Sequence, residues 1–448
     1  MRRTRRDVLA LVGTAGITSL AGCSGVLDSR GDDRPDLDAE ALRAVERLGS
    51  PAFPARTPAP IETTLLETSR SRARTLLDSV PESMSSRTVP NEAVRNIYAE
   101  ERADAIRALD RASTERTRFE QMRSLRYARG NAAMVKGTYE AAVGEITEDE
   151  VVSERDSLRE EVESFRQAHR YFGDDLGPAL VVHGEIEDFL AVASRYLDNA
   201  DDPVRHGGSA PGVGEMLDAV ESARASLESA RHLADRYRQS LSDPQDFGHV
   251  FEETASSLSD IVEARRDDYP DDYGPTSQLF DDFDRPIEDT PAAELLVETF
   301  IHLHYGVEGI REAVRRDRVA NALLEAHVAE RSRRAFEAAK VAVRRGEYGT
   351  LQSAAEVRDE KLAALEALES ARSDHSSPDV TRRALTDVAH RVDRGDRYLE
   401  RSLEDDTHRS ARNALGQYAF VAYTARETPN VSAWLLGAMR AALGESAD

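Results

Sequence analysis

PAAELLVETFIHLHYGVEGIREAVRR, residues 291–316, decides the fold class of this chain. Within it Leu296, Phe300, Leu303, Val307, Ile310 and Val314 recur at alternating steps of four and three. That spacing lays a single apolar stripe along about five turns of a helix. Thr290-Pro291 stands at its start. It puts a capping side chain before a proline at the first helical position, where a backbone N–H has no partner anyway.

Outward from this segment the same period returns. Leu158, Val162, Phe165, His169 and Phe172 follow it, as do Leu385, Val388, Val392, Leu399 and Leu403. Val94, Tyr98, Ala105, Leu109 and Ala112 repeat it less fully. Thr147 with Glu150 has the spacing of a capping box, and Asp243-Pro244 and Ser377-Pro378 read as further starts. Helices are predicted near 61–80, 91–113, 116–144, 148–172, 178–199, 213–241, 245–266, 291–316, 318–345, 351–372, 378–404, 408–426 and 430–443. No run alternates with period two between hairpin turns. The predicted fold is all-α: long amphipathic helical hairpins forming a multi-helix bundle or short α-solenoid in two lobes.

Three stretches interrupt the helices. Residues 23–60 read as a tether with a proline-rich end and one short helix, Asp201–Gly214 as a flexible hairpin or inter-lobe linker, and Asp267–Pro291 as an acidic, aromatic loop. The expected organisation is 61–266 for the first lobe, with a sub-boundary at 201–214, then the loop 267–290 and a second lobe, 291–445. Lys136-Gly137-Thr138-Tyr139 and Arg345-Gly346-Glu347-Tyr348 each follow an alanine-rich helix. That basic-Gly-X-Tyr pattern resembles the inter-helix turn of tetratricopeptide repeats, although no 34-residue period accompanies it.

The N-terminus carries a different kind of information. Arg2, Arg3, Arg5 and Arg6 precede Val8–Leu20, an uncharged and mostly apolar run too short for a hydrocarbon core, which needs about 20 residues. Thr4-Arg5-Arg6-Asp7-Val8-Leu9 resembles a twin-arginine export signal, and Leu20-Ala21-Gly22-Cys23 resembles a lipobox. The resemblance to twin-arginine-exported lipoproteins covers about the first 25 residues. It implies removal of residues 1–22, lipid attachment at the Cys23 sulfur, and a cell membrane location on the extracellular face. Cys23 is the only cysteine in the chain, so internal disulfides and thiolate metal cages are excluded.

Removing residues 1–22, with four arginines and one aspartate, leaves 55 basic and 82 acidic residues, a net charge of −27. Only Lys136, Lys340 and Lys361 are lysines. An acidic, lysine-poor, arginine-rich chain resembles the proteins of extremely halophilic archaea. Near molar salt the Debye length falls to about 3 Å, which screens such self-repulsion. Nucleic acid is not an expected partner, because no basic stripe is present to release phosphate counterions.

Candidate chemistry is sparse. His327 and Glu330 form His-x-x-Glu, and Glu298, His302 and His304 lie on the preceding predicted helix, so a metal site between paired helices is one reading. Imelysin-like exported lipoproteins are helical and use Gly-x-His-x-x-Glu; here Glu325 stands where that glycine would be. His169 and His183 read as hydrogen-bonded core residues. The carboxylates of 267–273 and 281–284 offer hard oxygen ligands without the EF-hand order. Asn430-Val431-Ser432 matches a glycosylation acceptor at an expected helix start. No catalytic triad, phosphate loop or dinucleotide fingerprint is found, and no cofactor is expected. The chain therefore reads as a surface lipoprotein with a non-enzymatic binding or scaffold role. Its expected partners are membrane lipid through Cys23 and an envelope protein. The alternative reading is a metal- or solute-binding lipoprotein.

Overall fold

The computed structural model describes residues 37–200, 208–264, 279–281, 283–405 and 408–444. Arg5, Arg6, the Leu20–Cys23 motif and the Asp267–Tyr273 carboxylates lie outside the described residues. Thirteen helices run through the described chain, and the protein is an all-α, multi-helix bundle. In chain order they begin with α1 (Ala39–Glu46), α2 (Thr63–Asp78), α3 (Glu92–Thr114), α4 (Arg118–Val143), α5 (Glu148–Ala168), α6 (Leu176–Asn199) and α7 (Ala210–Ser240). They continue as α8 (Gly248–Ala264), α9 (Pro291–Arg315), α10 (Val319–Arg344), α11 (Ala354–Arg372), α12 (Pro378–Asp405) and α13 (His408–Ala442). Two short strands, β1 (Phe172–Gly173) and β2 (Gln245–Asp246), pair antiparallel with Phe172 opposite Asp246.

Local chemistry starts many of these helices. Thr147 and Glu150 form the expected capping box on α5, and Thr117 with Glu120 forms another on α4. Ser377-Pro378 and Thr290-Pro291 both open helices with proline at the first position, but the Thr290 hydroxyl caps nothing and donates instead to the Ile287 carbonyl (2.7 Å). Asp243-Pro244 does not: the strand pairing takes Gln245 and Asp246, and α8 starts at Gly248, whose N–H donates to Asp246 Oδ1 (3.0 Å).

Three further expectations are corrected. Lys136–Tyr139 lies inside α4 rather than in a turn. Gly137 serves there as a contact point, since a Cβ would come within 3.0 Å of the Gly214 Cα. Arg345–Tyr348 is a turn, with Gly346 at φ +94° and Tyr348 at φ +55°. The two segments are therefore not equivalent, and the repeat dissolves. Thr428-Pro429 does not divide the last helix, because Pro429 sits within a continuous α13. Its flanks are buried in two different cores, through Phe420 and Val421 before it and Leu435 and Leu436 after it. That burial outweighs the roughly 3 kcal/mol an interior proline costs. Asn430 is consequently exposed in mid-helix, not at a helix start, and the hydroxyl of Ser432 is buried.

The cores explain how the lobes are joined. One is built mainly from α2–α8, with Tyr98, Leu125, Ile186, Leu227 and Phe251 among its buried side chains. The other gathers α1, α11, α12 and the first half of α13, with Phe53, Val357, Leu385 and Tyr418 buried in it. Four helices belong to both, α12 only through Val380, which enters the first core. In α9, Leu295, Leu296 and Phe300 enter the second core while Leu303 and Ile310 enter the first; Val314, the last position of the stripe, is exposed. In α10 the order reverses, Leu323 and Ala326 in the first core and Phe336 and Val343 in the second. The cores thus change over within helices, not at 267–290. The end of the expected tether is part of the body: Leu42, Val45 and Phe53 are buried in the second core and Ala59 in the first.

Of the acidic loop, Ile287 is fully buried and the Arg285 guanidinium donates to the Val343 and Glu347 carbonyls (3.0 and 2.9 Å). No helix among the described residues is long and apolar enough to cross a membrane.

Candidate functional site

The proposed metal residues do not form one ligand set. Glu298 Oε1 accepts from Arg394 Nη2 at 2.8 Å, with Arg391 at 3.9 Å and His302 Nε2 also at 3.9 Å. His302 stacks on Phe420 with ring centroids 4.9 Å apart, and burial pushes its pKa down to about 3. His327 faces elsewhere. Ser432 Oγ lies 2.9 Å from the Thr428 carbonyl and 3.0 Å from His327 Nε2. A carbonyl only accepts, so the hydroxyl proton goes to Thr428 and the His327 Nε2–H donates to Ser432. Burial holds His327 well below its ordinary pKa. Glu330 is taken by Arg333 (2.7 Å) and Arg334 (2.8 Å), one helical turn on, and His304 is half-buried on α9. Only Glu298 and His302 come together. Among the described residues no group of three or more His, Cys, Asp or Glu is placed to hold a metal ion. The physical reason is the abundance of arginine, which claims both carboxylates.

His169 and His183 behave as core residues. The His183 Nε2–H donates to the Phe172 carbonyl (2.9 Å), leaving Nδ1 to accept from His169 Nε2–H (3.0 Å). Burial lowers their pKa values to about 4 and about 3.

A charged seam runs where α6, α10 and α12 meet between the cores. Arg383 donates through Nε to Glu185 Oε1 (3.1 Å) and through Nη2 to Asp188 Oδ2 (3.2 Å). Burial works against its charge, but Glu185 and Asp188 hold its pKa above the ordinary value. Asn321 Nδ2 donates to Asp188 Oδ1 (2.9 Å). Glu187 accepts from the Ala320 and Asn321 backbone N–H groups at the start of α10 (3.2 and 2.7 Å) and from the Tyr171 hydroxyl (2.6 Å). Burial nevertheless raises it to about 7. Glu325 is likewise raised to about 7, by burial, with Arg383 pulling the other way. Arg331 is lowered to about 10 by burial; its Nη1 donates to the Ala384 carbonyl (3.2 Å), while its Nε is buried without a partner.

Beside this seam, residues 52–58 form one wall of three adjoining cavities of about 240, 140 and 200 Å³. All three share Arg56 and Thr386. The opposite walls come from α4, α6, α11 and α12 and supply Arg123, Val181, Arg372, Arg382 and Arg383. This cleft was not anticipated. Its arginines are scattered over more than three hundred positions, and a single arginine in an arginine-rich chain carries no signal. Arg382-Arg383 beside the 385–403 stripe is the one local clue.

Residues 64–243 match a family model described as a domain of unknown function (DUF8262). Residues 248–437 match a second, also described as a domain of unknown function (DUF8264). No curated protein and no solved structure matches the chain. The break between the two matches falls at β2, so α8 goes with the second match although its side chains pack into the first core.

Proposed function

We propose that this chain is a lipoprotein, anchored through Cys23 to the extracellular face of a cell membrane in a high-salt organism, whose helical body binds a solute. The support for the address is the paired arginines Arg5 and Arg6 followed by the Leu20-Ala21-Gly22-Cys23 motif. The observation that carries the binding role is the cleft between the cores, with side chains from five separate segments converging on Arg56 and Thr386. Such a cleft is preformed: Arg383 is clamped by two carboxylates, and α9, α10 and α13 tie both cores together. Preorganisation spares a ligand the ordering cost of its site. A binding role requires nothing more of the molecule than this.

Fractionation with intact-mass analysis tests the address. The wild-type chain is expected in the membrane fraction, beginning at a lipid-modified Cys23. Cys23→Ser is expected to be released from membranes or left with residues 1–22 attached. Normal processing with undiminished membrane association of Cys23→Ser refutes the anchor.

A further inference from the structure

We propose that the cleft selects a multiply charged oxyanion, a phosphate, sulfate or polycarboxylate group, held chiefly by Arg56 and Arg382. This inference rests on the cleft being a binding site and adds the chemistry of what it takes.

Charge makes the case. The chain has 83 acidic against 59 basic residues, yet the 240 and 140 Å³ lobes together present Arg56, Arg372, Arg382 and Arg383 against one carboxylate, Asp379. Close guanidinium groups repel each other only to the extent that carboxylates do not neutralise them, and Arg372 already pairs with Glu369 at 2.7 Å. Their commitments differ. Arg383 is engaged by Glu185 and Asp188, which neutralise its charge, and it offers no free fork. Arg382 makes one exposed contact to Asp379, at 3.2 Å, a weak surface pair that an incoming anion can displace. Arg56 has no carboxylate or hydrogen-bond partner among the described residues, although its neighbours in the cleft are fixed. An uncommitted guanidinium matches an oxyanion in bidentate fashion. Thr57 adds a hydroxyl donor: its Oγ1 accepts from Ala59 N (3.4 Å), which leaves its proton available.

The third lobe sets polarity. There Glu185, Asp188 and Asp387 face Arg56, Arg123 and Arg383, so a second anionic group meets three carboxylates. The ligand accordingly carries its charge at one end, toward Arg382, and an uncharged or cationic portion at the other. The lobe volumes limit the bound part to a small solute or a headgroup.

The test uses the full chain carrying Cys23→Ser, so that no detergent is needed, in chloride medium. Calorimetric titration with inorganic phosphate and with citrate is compared with sedimentation on phosphatidylglycerol and phosphatidylcholine vesicles. Binding of phosphate or citrate, weakened about tenfold or more by Arg56→Gln with Arg382→Gln, is the expected result. Both side chains are exposed, so the double variant keeps the parent melting temperature. Arginine-dependent binding to phosphatidylglycerol vesicles alone also supports the oxyanion and identifies a lipid headgroup as its source. No binding in any arm, or binding indifferent to the two substitutions, overturns the proposal. A neutral or cationic solute that stabilises the chain, is blocked by Ala52→Trp in the cleft wall and ignores the arginine substitutions also overturns it. That last outcome leaves the cleft reading intact, and membrane fractionation of the wild type is independent of both.

Discussion

Lys361 is fully enclosed, with 0% of its side chain exposed. Its Nζ donates to Asp396 Oδ1 at 2.7 Å and to the Val45 carbonyl at 3.1 Å, joining α11 to α12 and to α1. Asp396 also accepts from the hydroxyls of Tyr418 (2.5 Å) and Ser50 (3.2 Å), and its side chain is 17% exposed. At this separation and an effective dielectric near 20, the attraction is roughly 6 kcal/mol. Most of that is offset by removing both charges from water. Breaking the pair is therefore worse than deleting it. Lys361→Met leaves a carboxylate that keeps two hydroxyl donors and some water, at a cost of about 3 kcal/mol. Asp396→Leu leaves an ammonium with only one carbonyl, at about 5 kcal/mol. The double variant removes both charges and strands only the Tyr418 hydroxyl, for about 2 kcal/mol or less. Urea unfolding followed by far-UV circular dichroism measures all three. Trp434, the sole tryptophan, packs against the other core and serves as a second probe. Because α9, α10 and α13 run through both cores, the Trp434 transition is expected to move with the dichroism. Single substitutions costing less than about 1 kcal/mol, or adding up in the double variant, refute the pairing argument. A stationary Trp434 transition refutes the coupling of the cores.

Two other outcomes follow from the structure. At Gly306 an added Cβ would stand 2.5 Å from the Ala329 backbone nitrogen, whereas at Gly437 it would meet nothing within 4 Å. Gly306→Ala is expected to lower stability by about 2 kcal/mol as α9 and α10 are forced apart, and Gly437→Ala to raise it by up to about 1 kcal/mol; equal effects in thermal melts contradict this. Burial raises the folded-state pKa of Glu325 to about 7, above the ordinary glutamate value of 4.5, so the folded chain holds a proton there that the unfolded chain releases. Stability is lost as pH rises between these values. Glu325→Gln is expected to match the wild type below about pH 4.5 and to exceed it by about 3 kcal/mol above pH 7. A stability difference that does not change with pH contradicts that account.

How much was legible in advance follows from the range of each interaction. The all-α class, the Thr147–Glu150 cap and the start at Ser377-Pro378 were readable, because period and capping act over three or four residues. Pro429 misled for the same reason: locally it breaks a helix, and only burial of Phe420 on one side and Leu436 on the other keeps α13 whole. The histidine and glutamate candidates misled because spacing places side chains on a face but does not say that Arg394 reaches Glu298 or that Arg333 and Arg334 hold Glu330. Arg56 belonged to a segment read as tether, and its meeting with Arg382 depends on residues 51–59 packing back across the body.

By itself, then, the sequence determined the helical class, the acidic surface and the content of the first 23 residues, all of which are properties of neighbours along the chain or of bulk composition. Tertiary structure alone decided which helices serve both cores, which carboxylates are neutralised by arginine and where a cleft opens. Those outcomes are set by close packing and by charge pairing between residues hundreds of positions apart, and neither leaves a periodic trace in the chain.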